Sequence, residues 1–185
     1  NFASSTNSGS VTSGNTSARN CSFRLKTTVR EASWAEDQDS LQKIRTVVFI
    51  REQGIDPADE WDPRDAEAIH LLAECNNEPV GCARILNSAT IGRMAVLKEA
   101  RNKNTGSRIL RHAIKLIQEA GNTPTLGAQV SAIRFYASHG FLPEGPVFDD
   151  AGIPHQTMTL KSDPEITLMP IDAESLRFDT PTMMA

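Results

Sequence analysis

Residues 91 to 120 read IGRMAVLKEARNKNTGSRILRHAIKLIQEA, and this stretch decides the fold. It opens with a short strand pattern, Ile91 to Val96. It closes with a helix on which Ile109, Leu110, Ala113, Ile114, Ile117 and Ala120 form one apolar stripe, stopped by Gly121. Between the two, Arg101-Asn102-Lys103-Asn104-Thr105-Gly106-Ser107 is a strand-to-helix junction. Unpaired backbone N–H groups and the positive end of the helix dipole meet at such a point, which suits an anion. Gly106 lets backbone approach a phosphate closely, Asn104 tolerates the left-handed conformation that a nest of amides needs, and Arg101, Lys103 and Arg108 add charge. No Gly-Lys-Ser/Thr follows, so the loop is not of the Walker type.

Upstream, Phe23, Leu25, Thr27 and Val29 alternate as one face of a strand. Asp37 or Asp39 can cap a helix carrying Leu41, Ile44, Val47 and Val48, with Gly54 as its stop. A polar loop through Pro57, Trp61 and Pro63 leads into Ala68 to Cys75, a turn at Asn76 to Pro79, and Val80 to Leu86, which reads as a hairpin. Downstream come a strand at Thr125 to Gln129, a short helix from Ser131 to His139 closed by Gly140, and a final hairpin ending in His155 to Leu160. The order β, α, three β, α, β, α, β, β predicts an α/β layered domain over residues 23–161. Residues 1–22, rich in Ser, Thr, Asn and Gly, read as a disordered or linker tail, and residues 162–185 as a C-terminal extension with a short strand at Ile166 to Met169.

Composition narrows the function. The 185 residues carry 19 Lys+Arg against 23 Asp+Glu, a formal charge of −4, which argues against an affinity built on nucleic-acid phosphates. No apolar run approaches the roughly 18 residues that cross a bilayer, so no membrane partner is expected. The three cysteines, Cys21, Cys75 and Cys82, lack Cys-x-x-Cys spacing, and the four histidines lack His-x-x-x-His, so no metal site is expected. Cys75 and Cys82 flank one turn and could share a sheet face, although free buried thiols are the simpler reading. The acid-free stretch Asn1 to Arg30 leaves a cytoplasmic or an organellar location open.

The residues from about Phe49 to Leu160 resemble the GNAT superfamily of acetyl-CoA-dependent N-acetyltransferases, with particular likeness to its ElaA-like branch. Val48 to Gly54, Glu60-Trp61-Asp62, Ala68 to Leu71, Val80 to Arg84 and Ile91 to Val96 carry the likeness, followed by the anion loop, Ala128 to Ala132, Phe135-Tyr136, His139 to Phe141 and Gly152 to His155. Asn104 departs from the family pattern, standing where the first loop glycine usually is.

The resemblance implies a mixed sheet with a V-shaped opening between two central parallel strands, helices on both faces, and acetyl-CoA lying in the opening. Met94, Ala95 and Val96 would pair with the pantetheine amides, Arg101 to Ser107 (Arg101, Asn102, Lys103, Asn104, Thr105, Gly106, Ser107) would hold the pyrophosphate, and Gln129, Ala132 and Phe135 would complete the cofactor site. Transfer to an amine needs a proton acceptor, an oxyanion holder and a donor for the leaving thiolate. Tyr136, the one tyrosine, takes the donor role by resemblance. His155 is the first candidate base, with His70, Glu52, Glu60 or a held water as alternatives. Arg51, Glu52, Trp61, His70 and Arg93 would line the acceptor side, where Arg51 and Arg93 suit a carboxylate and Asp149-Asp150 an amine. The expectation is an N-acetyltransferase acting on a small-molecule primary amine in a ternary complex, as a monomer or homodimer. The alternative is a non-catalytic acyl-CoA-binding or sensing module.

Overall fold

A computed structural model describes residues 27–161. Seven strands make one sheet: β1 (Thr27–Ala32), β2 (Ile69–Cys75), β3 (Glu78–Leu86), β4 (Thr90–Val96), β5 (Thr125–Gln129), β6 (Phe141–Asp150) and β7 (Ile153–Leu160). Their spatial order is β1-β2-β3-β4-β5-β7-β6, with β4 and β5 parallel and every other neighbouring pair antiparallel. The helices are α1 (Trp34–Arg45), continued as a wider π-helical segment Thr46–Glu52, then α2 (Pro57–Glu60), α3 (Thr105–Glu119) and α4 (Ile133–Ala137). The element order is the expected one, except that the short helix α2 stands in the expected polar loop through Pro57, Trp61 and Pro63. Phe23 and Leu25, both terminal segments and the strand at Ile166 to Met169 lie outside the described residues.

The apolar stripe of α3 covers one sheet face, packing Ile109, Leu110, Ala113 and Ile117 with Leu71, Ile85, Leu126, Phe141 and Met158. Gly81 makes that contact close, because a Cβ there would stand 2.9 Å from Ile109 Cδ1 and 3.0 Å from the Ala95 carbonyl oxygen. On the other face, Leu41, Ile44, Val48 and Phe49 of α1 and its extension cover Leu72, Cys82 and Ala95. Gly54, Gly121 and Gly140 all take positive φ at the helix ends expected of them.

Two expectations are corrected. Helix α1 starts earlier than Asp37, with Ser33 as its N-cap. Asp37 instead accepts a hydrogen bond from the Ser33 backbone N–H (3.0 Å) from within the first turns, and Arg30 grips the same carboxylate. Cys75 and Cys82 are both free and lie on opposite faces. A bulge shifts the β2–β3 register between Ala73 and Glu74, pairing Ala73 with Gly81 but Glu74 with Pro79. The extra residue inverts the alternation and turns Cys82 toward α1. Burial there pushes its thiol up to about 12, leaving it protonated and unreactive.

Candidate active site

Parallel β4 and β5 pair over two positions only, Thr90 with Thr125 and Ile91 with Leu126. Beyond Ile91 the strands part, and β4 bulges: Cys82 pairs with Ala95 while Arg84 pairs with Gly92. Arg93 absorbs the irregularity with φ of 46°, a left-handed conformation unusual for a side chain of its size. The opening holds a cavity of about 490 Å³. Its walls include Glu52, Arg93, Met94, Ala95, Val96, Arg101, Gln129, Ala132, Tyr136 and His155.

Tyr136 stands on α4, its ring edge-on to Phe135 and Phe141. The hydroxyl faces Met94 Sδ at 3.9 Å, a weak acceptor. Burial pushes the phenol up to about 12, so it keeps its proton at neutral pH. His155 sits on β7 with Nδ1 2.8 Å from the Ile153 carbonyl oxygen. That oxygen can only accept, so Nδ1 donates to it, and in the neutral tautomer that this bond fixes, the lone pair lies on Nε2.

The anion loop has the backbone expected of it. Asn102 and Asn104 are both left-handed (φ 59° and 62°), and Asn104 caps α3 without a side-chain hydrogen bond. The amides of Thr105, Gly106 and Ser107 therefore open the helix without intrahelical acceptors. Asn102 to Ser107 lie outside the cavity wall, although a Cβ on Gly106 would be 3.5 Å from both Met94 Cε and the Phe135 ring. Arg101 turns away from the loop: its Nε donates to the Val96 carbonyl (2.9 Å) and its two other nitrogens hold both Glu52 carboxylate oxygens (2.5 and 2.6 Å). Arg101 holds the Glu52 carboxyl below its ordinary value, which makes Glu52 a poor proton acceptor. Gln129 Nε2 donates to Gln53 Oε1 (3.0 Å), tying the end of β5 to the same segment.

Three expected acceptor-side residues do not reach the cavity. Arg51 is exposed elsewhere. His70 is buried, its ring stacked on Trp34 and its Nε2 2.8 Å from the Asp65 carbonyl oxygen; burial lowers its pKa and keeps it neutral. Trp61 instead offers its ring to the Arg45 guanidinium, 5.0 Å from the centroid.

Along and behind one wall of the cavity runs a chain of ion pairs that sequence reasoning missed as a unit. Arg93 pairs with Glu60 (2.9 Å), Glu60 with Arg45 (2.5 Å), Arg45 with Asp65 (2.9 Å), Asp65 with Arg84 (2.6 Å), Arg84 with Asp62 (2.9 Å), and Asp62 with Arg64 (2.7 Å). Arg45, Glu60, Asp65 and Arg84 are all buried. Burial pushes the Glu60 carboxyl up against the pull of Arg45 and Arg93. An available signal was Arg84 inside the apolar run Val80 to Leu86, since a guanidinium there needs a buried carboxylate. Arg64, Asp59 and Gln53 also line the cavity and were not singled out.

Comparison with known proteins agrees with this architecture. The Acetyltransferase (GNAT) domain model matches residues 55–162, more than half of the chain. The chain belongs to this acetyltransferase family. It is 35% identical over 141 residues to a UPF0039 protein of Mycobacterium tuberculosis, covering 68% of this chain and 88% of that one. It is 32% identical over 146 residues to the YyaT protein of Bacillus subtilis, covering 75% and 99%. The crystal structure of Escherichia coli ElaA superposes with a TM-score of 0.65 at 27% identity, covering 74% of this chain and all (100%) of that one. Among the described residues no helix is long and apolar enough to cross a membrane.

Proposed function

We propose that the protein transfers the acetyl group of acetyl-CoA to the primary amine of a small molecule by direct attack in a ternary complex. The carrying observation is the parted β4–β5 pair, whose cavity has the Tyr136 hydroxyl and His155 in its walls. Family membership supports a CoA thioester as co-substrate, and three features of the chain fit one. Strand β4 has no β5 partner along Gly92 to Val96, so backbone groups there, apart from the Val96 carbonyl that accepts from Arg101, are available to pantetheine amides. The left-handed asparagines and the first α3 amides suit the pyrophosphate. The cavity size suits an acyl-pantetheine arm with an acceptor.

Each step uses a group on this chain. The His155 Nε2 lone pair takes a proton from the attacking amine, directly or through water. Backbone N–H groups of Met94 to Val96 stabilise charge developing on the carbonyl oxygen. The Tyr136 hydroxyl gives its proton to the departing thiolate. The proton taken up by His155 then passes through water to the Tyr136 phenolate, so both groups return to their starting states and CoA leaves as the thiol. A cytoplasmic setting suits this chemistry and the bacterial relatives.

The test is a thiol-release assay with acetyl-CoA over a panel of primary amines, beside acetyl-CoA titration of the parent and Gly106→Asp. Saturable binding that Gly106→Asp abolishes, with release that depends on an amine, is the expected result. Binding with no amine-dependent release from any amine would return the protein to a non-catalytic acyl-CoA module. Unchanged affinity in Gly106→Asp would put the pyrophosphate elsewhere.

A further inference from the structure

The ion-pair chain alternates strictly from Arg93 to Arg64 and begins and ends on arginine: four guanidiniums, at 45, 64, 84 and 93, against three carboxylates, at 60, 62 and 65. Fully ionised, it carries one positive charge that its own members do not cancel. Four members line the cavity, Arg93, Glu60, Arg84 and Arg64, and of these the two end arginines are the exposed ones, Arg93 with 26% and Arg64 with 64% of the side chain exposed.

Hydrogen bonding shows the same surplus. The two buried side-chain nitrogens without a hydrogen-bond partner among the described residues, Arg45 NH1 and Arg84 Nε, both belong to this chain of arginines. Arg45 NH1 does lie 2.9 Å from Asp65 Oδ2, but at an angle that makes it an ion pair only. Arg93 is held from behind: its Nε pairs with Glu60 and its NH2 donates to the Asp59 and Glu60 carbonyls at the end of α2 (3.0 and 3.3 Å). Its NH1 has no partner among the described residues. Arg93 thus presents an oriented donor, one residue before the Met94 to Val96 strip at which the transfer is proposed to occur. The cavity lining also carries the acids Asp59 and Asp150, and His155 lies in the same lining.

We propose that the acceptor is an amine that also bears a carboxylate, as in an amino acid, and that Arg93 holds this carboxylate through NH1. The acceptor's ammonium then lies toward Asp150 and His155, where its proton is to be removed. This inference rests on the transferase reading and specifies its substrate class. Guanidinium geometry matches a planar carboxylate, and a positioned charge pair orients the amine as well as binding it.

The experiment compares amino acids with their decarboxylated amines: phenylalanine with phenethylamine, leucine with isoamylamine, and β-alanine with ethylamine, adding 2-aminoethyl phosphate as an alternative anion. The parent should favour the carboxylated member by roughly tenfold or more in kcat/KM. Arg93→Gln should remove most of that preference through KM, and Arg93→Lys should keep part of it. Melting curves establish that each variant is folded, and the parent's substrate ratios remain decisive if one is not. Preference for the decarboxylated amines, or for the phosphate ester, overturns the proposal. So does a loss of preference in Arg64→Gln that Arg93→Gln does not reproduce. If no amine is acetylated, the transferase reading falls, and calorimetric titration with the same amino acids decides the anion site separately: binding abolished by Arg93→Gln retains it, and no binding overturns it.

Discussion

The two faces of the central sheet differ in what holds them. Under α3, Ile109, Leu110, Ala113 and Ile117 meet Leu71, Ile85 and Phe141, and the buried polar residue of that helix, Thr105, is an uncharged hydroxyl that donates to the Ala100 carbonyl (2.9 Å). Under α1, the apolar cluster of Leu41, Ile44 and Val48 gives way within one residue to Arg45, buried among Glu60, Asp65, Arg84 and His70. Apolar burial is non-directional and contributes roughly 25 cal/mol per Å², so the first face gains stability without fixing any charged group in place. Buried ion pairs gain little net stability after desolvation, yet they fix each guanidinium by direction. One face thus secures the fold, and the other fixes the guanidiniums that reach the cleft.

Tyr136 joins the two regimes, its ring packed against the α3-side core and its hydroxyl in the cavity wall. Tyr136→Phe therefore gives the largest expected effect on rate, a fall in kcat of roughly 10²–10³ with acetyl-CoA affinity nearly unchanged. Thermal stability should hardly move, because the hydroxyl loses only a 3.9 Å contact to sulfur. An unchanged kcat with chemistry rate-limiting would assign the whole residue to the core.

Asp65→Ala attacks the charged face by leaving Arg45 and Arg84 buried without their shared carboxylate. Denaturant unfolding should show a loss of about 3–5 kcal/mol, and the surviving folded protein should have a raised KM for its acceptor. A loss below about 1 kcal/mol, as for a surface pair, would dissolve the contrast between the faces.

Ile117→Ala creates a cavity in the apolar face, at a buried position of α3 that does not line the cleft. A loss of about 2–5 kcal/mol is expected from unfolding curves, with kcat/KM per folded molecule unchanged. A changed KM there would show that the α3 side also shapes the site.

The smallest effect concerns His70. Burial lowers its pKa in the folded state, so the unfolded chain binds the proton more readily once the pH falls below the ordinary value of about 6.5. Its contribution is complete above that value and is lost as the pH falls from there toward the lowered folded one. Asp62, held low chiefly by Arg64 and then by Arg84, loses its contribution only at more acid pH. Melting temperatures at pH 7.5 and 5.5 should therefore fall further for the parent than for His70→Gln. Equal slopes would show that His70 does not titrate on unfolding in that range.

The apolar face was the readable one. The α3 stripe, the strand at Thr125 to Gln129 and the glycine stops followed from spacing, because periodicity and positive φ are local demands. The charged face was not. Nothing along the chain marks Arg45 for burial, and Glu60 reads as an alternative base on a polar loop that also carries Asp62 and Asp65. Their pairing joins segments 15 to 33 residues apart, from Arg45 with Glu60 to Arg93 with Glu60. His70 shows the same limit, since alternation along β2 gives its face but not the Trp34 ring that covers it.

By itself the sequence determined the order of the strands and main helices and the left-handed turn at Asn104 that opens α3, because each depends on neighbours along the chain. Tertiary structure alone decided which candidates meet: it brought Tyr136, His155 and Arg93 to one cavity and kept His70, Trp61 and Arg51 out of its wall. It also turned Arg101 onto Glu52 and closed the chain of ion pairs from Arg93 to Arg64. A charge's partner is set by distance through space and by the water removed around it, and neither quantity exists until the sheet and its helices have packed.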